Sequence, residues 1–137
     1  MTCQRMSDES IRGLVHAFYE KVREDPQLAP IFTAAIGDRW DAHIARMCDF
    51  WGTAMRVSKR YKGDMLAAHR RVGALHPALF GRWLGLFEET VEEHFADEAA
   101  AALRERAHKT ARNLEMALFR RPDGRWLRDD LQPPSGQ

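Results

Sequence analysis

The sequence predicts an all-α fold, and three observations predict it. Valine, isoleucine and threonine together make only 14 of the 137 residues, whereas alanine, leucine, arginine and glutamate abound, so intrinsic preference runs toward helix. Apolar residues recur at three- and four-residue spacing in stretch after stretch. Glycine, proline and aspartate fall between those stretches, where helices stop and start. At 45% hydrophobic and 30% charged residues, the chain has the composition of a packed soluble protein, and its length suits about one domain.

The first helix carries Ile11, Leu14, Val15, Phe18, Tyr19 and Val22 on one stripe, with Ser7 or Asp8 as its N-cap and a stop near Pro26. Pro30-Ile31-Phe32 then enters an irregular apolar corner that ends at Gly37. Asp38 stands ready to cap a second helix, whose stripe is Trp40, His43, Ile44, Met47, Phe50, Trp51 and Ala54. Arg56 to Lys62 is a basic connector, and Gly63-Asp64 is a stop-and-cap signal. A short third helix gathers Met65, Leu66, His69 and Val72 before Gly73. Pro77 suits the first turn of a fourth helix carrying Leu79, Phe80, Trp83, Leu84, Phe87 and Val91. The fifth, capped by Asp97, has Leu103, Ala107, Thr110, Ala111, Leu114, Ala117 and Leu118 inside. After Phe119 the apolar period stops, and Pro122-Asp123-Gly124 reads as a turn. Residues 1–119 are therefore expected to form the domain, and 120–137 a loosely attached extension, partly disordered or docked by Trp126.

Several functions are excluded. Lys and Arg total 21 against 20 for Asp and Glu, so no global field draws nucleic acid or an acidic membrane. The longest charge-free run, Pro26 to Gly37, is too short to span a bilayer, and the start from Met1 to Ser10 is polar, so a cytoplasmic location is expected. Cys3 and Cys48 form no CxxC pair and supply no disulfide framework or thiolate zinc site. GxSxG, Walker and GxGxxG patterns are absent.

What remains is a set of four large polar-tipped side chains on stripes that otherwise read as core: Tyr19, His43, His69 and Trp83. A buried hydroxyl, imidazole or indole without a partner costs about 1–3 kcal/mol, so each must meet a polar group, a water or a ligand. Taken singly, each is satisfied by a backbone carbonyl; four of them on four helices shift the balance toward a ligand without deciding it. His69 is the more ligand-like histidine, because its short helix between Gly63 and Gly73 can be positioned independently of the long ones. His43, Met47, Phe50 and Trp51 would form one wall of an apolar cavity. His16, His76, His94 and His108 fall at stripe edges or helix ends and read as surface residues.

Five landmarks then occur in order: Phe18-Tyr19-Glu20-Lys21-Val22, Pro30-Ile31-Phe32, Trp40…His43…Phe50-Trp51, Tyr61-x-Gly63…His69, and Trp83-Leu84-x-Leu86-Phe87-Glu88-Glu89. Over about Ser7 to Phe119 the sequence resembles a group III truncated haemoglobin. The resemblance implies a truncated globin fold, a two-over-two helical sandwich around haem b, with His69 as the proximal iron ligand and Leu66 and Val72 beside it. Tyr19, His43 and Trp83 would occupy the distal side, Phe32 would pack on the haem face, and Met47 would lie one turn beyond His43. Arg46 and the basic connector would meet the haem propionates. The implied ligands are O₂, nitric oxide and other diatomic molecules. The implied activity is reversible binding, with nitric-oxide dioxygenation or peroxidase-like chemistry fed by an electron-donating reductase. Two other readings stay open: a haem-based sensor reporting to a partner through the tail at Trp126, and a haem-free helical interaction module in which all four rings are satisfied core residues.

Overall fold

Ser7 starts the first helix. Its hydroxyl accepts the Ser10 N–H at 3.1 Å while the Ser10 hydroxyl accepts the Ser7 N–H at 2.9 Å, a reciprocal cap. In the computed structural model, which describes residues 5–72, 75–120, 123 and 125, six helices follow: α1 (Asp8–Glu24), α2 (Ala29–Ile36), α3 (Trp40–Ala54), α4 (Met65–Arg70), α5 (Pro77–His94) and α6 (Asp97–Phe119). The α1 stripe from Ile11 to Val22 is buried, as its period requires.

The apolar corner after Pro26 is not irregular. It contains α2, which is why the described residues hold six helices rather than five. Asp25 launches it: one carboxylate oxygen accepts the N–H groups of Gln27 and Leu28 at 3.0 and 2.9 Å, and the Asp25 carbonyl accepts that of Ala29 at 2.9 Å. Pro30 then occupies the first turn, where its missing N–H costs nothing. The segment is apolar all round, so no amphipathic stripe announces it. Gly37 ends it at φ 64°, a conformation that suits glycine.

Two caps differ from expectation. Asp38 does not cap α3; Arg39 is the N-cap, and its guanidinium turns back to the Ala35 and Ile36 carbonyls at the end of α2. Asp97 begins α6 rather than capping it, with φ 53°, and Ala96 is the N-cap. The other starts hold: Asp64 accepts the Ala67 N–H at 3.0 Å ahead of α4, and Pro77 opens α5 behind His76. On α6, Ala117 faces solvent while Phe119 is buried. Gly73 and Trp126, and with Trp126 the expected docking of the tail, lie outside the described residues.

Helix α1 packs against α2, α3 and α5, while α6 packs against α5 and α4. The main core centres on Phe87, fully buried on α5. Trp51 stacks on it at 4.6 Å and Trp83 at 5.4 Å, and Phe18 meets Phe87, Trp83 and Tyr19 edge-on at 5.0–5.5 Å. A smaller cluster of Phe80, Ala111, Leu114 and Phe119 lies between α5 and α6, with Met65 and Leu66 of α4 packed on it. No helix among the described residues is long and apolar enough to cross a membrane.

Candidate ligand cavity

Between the two clusters lies a cavity of about 270 Å³. Leu28, Ile31 and Phe32 from the α1–α2 corner, Met47, Phe50 and Trp51 from α3, Leu79 and Phe80 from α5, and Ala111 and Leu114 from α6 give it apolar walls. Four polar-tipped rings reach it: Tyr19 from α1, His43 from α3, His69 from α4 and Trp83 from α5.

His69 is half-buried on the one helix among the described residues that contributes no buried residue. Its Nδ1 lies 2.8 Å from the Met65 carbonyl, one turn back. A carbonyl only accepts, so Nδ1 carries a proton, and in the neutral ring Nε2 is the nitrogen with the lone pair. That arrangement is the one in which an imidazole serves as a metal ligand with its tautomer fixed. Phe80 lies beside the ring at 6.2 Å.

On the same cavity, His43 Nε2 stands 3.0 Å from the Tyr19 hydroxyl. Burial, then the charges of Arg46 and His69, lower the His43 pKa to about 4, so His43 is neutral at pH 7. Burial also pushes the Tyr19 hydroxyl well above its ordinary value and keeps it protonated. Neither group is free to wander. Tyr19 is 5% exposed and is held edge-on by Phe18, Phe32, Trp40 and His43.

Phe32, Met47 and Arg46 line the cavity as expected. Leu66 and Val72 do not: Leu66 turns to the Phe80 cluster, and Val72 follows the end of α4, its N–H on the His69 carbonyl. Of the basic residues, Arg46 reaches the cavity while Arg60 points away to Asp8 and Asp49. Arg56, Lys59 and Lys62 are not among the lining residues. Sequence reasoning missed Arg71, two places after His69, and Tyr61 as cavity residues. Tyr61 explains the Tyr-x-Gly landmark: a Cβ on Gly63 would sit 2.6 Å from the Tyr61 hydroxyl and 2.8 Å from its ring. Among the outer histidines, His16 and His108 are exposed, whereas His76 and His94 are half-buried and bonded at the two ends of α5.

No group of three or more His, Cys, Asp or Glu side chains among the described residues could hold a metal unaided. One imidazole in an apolar slot suits a metal whose other ligands come from an organic cofactor.

No family model matches the chain. A curated relative does: the group 3 truncated haemoglobin of Campylobacter jejuni is 32% identical over 123 residues, which cover 88% of this chain and 97% of the relative. The chain belongs to the group III truncated haemoglobins. The crystal structure of a group III truncated haemoglobin from Campylobacter jejuni superposes on this truncated haemoglobin with a TM-score of 0.82 at 33% identity, over 87% of this chain and 96% of the other. The fold is therefore a truncated globin's, and the α1–α3 and α5–α6 pairs are its two layers.

Proposed function

We propose that this truncated haemoglobin holds haem b in the cavity through His69 and binds diatomic ligands opposite it. One observation carries the reading: an imidazole with Nδ1 committed to Met65 and a hydrogen-bonded Tyr19–His43 pair line one apolar cavity. Cys48 lines a separate surface groove, which supports noncovalent haem. Arg46 and Arg71 are the cationic partners for its carboxylates. When bound, the haem would supply an iron able to take a small ligand and to exchange electrons.

The residues opposite His69 set how long a ligand stays. His43 is neutral at pH 7, so the Tyr19–His43 bond has two polarities. When Nε2 is unprotonated, Tyr19 donates to it. When Nε2 carries the proton, Tyr19 accepts, and its own hydrogen turns to the cavity. Trp83 lines the same cavity and carries a further donor, its indole N–H. Each bond from such donors to a ligand carrying negative charge is worth about 1.5–3 kcal/mol, enough to slow release roughly tenfold or more. Slow release favours consuming the ligand over delivering it. We assign oxygen with nitric oxide, or peroxide, as the chemistry, with electrons from a reductase and a cytoplasmic location.

The visible spectrum of the protein from cells, with reductant and carbon monoxide, tests haem binding; a spectrum without haem would overturn the reading. Tyr19→Phe is expected to raise the oxygen dissociation rate about tenfold. An unchanged rate would remove Tyr19 from ligand retention.

A further inference from the structure

Asp25 is the buried carboxylate that the ligand chemistry leaves unused. Its side chain is 2% exposed, yet every oxygen is engaged. One oxygen accepts the N–H groups of Gln27 and Leu28. The other accepts from Arg82 Nε at 2.7 Å and from the neighbouring Nη2. The Arg82 fork, followed by the backbone donors, holds the carboxyl below the usual carboxylate range despite its burial.

The turn alone does not require this charge. An asparagine at position 25 would accept the same two backbone N–H groups, and an ion pair with one half-exposed partner is weak as a source of stability. What the ion pair adds is a directional tie between two cavity walls. On one side, Leu28 lines the cavity and its N–H is fixed by Asp25, with Ile31 and Phe32 following on α2. On the other, Arg82 immediately precedes Trp83 on α5, and Trp83 lines the same cavity. Arg82 is itself 47% exposed, so its guanidinium reaches in from the surface to make the tie.

We propose that Asp25 and Arg82 are positioning residues, joining the α1–α2 corner to α5 so that Leu28 and the Trp83 donor stand at a fixed separation across the ligand space. The proposal rests on the ligand-binding reading above, but the geometry it asserts exists without haem. Lys21 provides an internal control. It also joins α1 to α5, through Glu93 at 2.9 Å and Glu89 at 3.6 Å, but on the surface and away from the cavity.

The test compares Arg82→Gln, Arg82→Lys, Asp25→Asn and Lys21→Gln in the full chain. In haem-free protein, the Trp83 indole N–H resonance, assigned with Trp83→Phe, should shift or broaden in Arg82→Gln and Asp25→Asn. It should return toward the parent position in Arg82→Lys and stay in place in Lys21→Gln. In haem-loaded protein, the stretching band of bound carbon monoxide should shift or split in the same two variants, and oxygen should leave roughly threefold faster, part of the roughly tenfold that a full donor bond supplies. An unmoved resonance and band in folded Arg82→Gln overturns the proposal, as does an equal change in Lys21→Gln. Should Arg82→Gln fail to fold, Asp25→Asn decides, since its amide oxygen can keep the two backbone bonds while its NH2 group replaces the oxygen that Arg82 binds. A parent chain that takes up no haem overturns the ligand-binding reading, while the indole resonance still judges the pair.

Discussion

The two sides of the cavity are built differently. Tyr19, His43 and Trp83 stand on long helices and are held by a lattice of ring contacts running through Phe18, Phe87 and Trp51. His69 stands on six residues, none buried, started by one Asp64 cap and packed on a cluster of four buried side chains. The side that would discriminate between ligands is rigid, because small displacements of donors change their hydrogen bonds. The side that would hold the metal relies on a local device, the His69–Met65 bond, which fixes the tautomer without needing a large core.

The largest effect expected from breaking this contrast is at His69. His69→Ala should abolish axial ligation in the visible spectrum, and added imidazole should restore it; normal ligation in the variant would remove His69 from its role. Phe87→Ala strikes the rigid side and should cost about 3–5 kcal/mol in urea unfolding, because the ring is fully buried among other rings. Leu66→Ala strikes the other side, where a half-buried leucine is worth only about 1 kcal/mol. Equal losses at the two positions would contradict the contrast.

Acid should reveal the rigid side too. His43 is harder to protonate folded than unfolded, since burial lowers its pKa to about 4 from 6.5. The unfolded chain therefore binds more protons in that window, and stability should fall as pH drops from about 6.5 toward 4. His43→Leu should flatten this part of a urea-midpoint profile, and an unchanged slope would place the titration elsewhere. The smallest effect is expected at Asp64→Ala, about 1 kcal/mol of capping confined to α4. Its readout is faster amide exchange in Met65–Arg70 with the rest of the chain unaltered.

Long helices were legible because their apolar stripes and starts agree: Ser7 and Pro77 each start one where the pattern says so. Helix α2 was not, because a segment apolar on every face carries no period, and its start depends on the Asp25 side chain three residues before its N-cap. Asp38 and Asp97 misled because a local capping signal does not decide which backbone groups remain unbonded once neighbouring helices meet. The four polar-tipped rings were visible as anomalies on core stripes, and the structure brings all four to one cavity. The resemblance puts Leu66 and Val72 at the cavity, yet a six-residue helix does not reveal from spacing alone which face meets the cavity. Arg71 went unnoticed for the same reason.

The thinness of α4 bears on assembly. Tied down by so little, this helix should be the first to open in native-state hydrogen exchange, at a fraction of the global unfolding free energy. A broad flat molecule could then slip between α4 and the ring lattice while the rest of the globin stays folded, and the helix would close behind it like a latch.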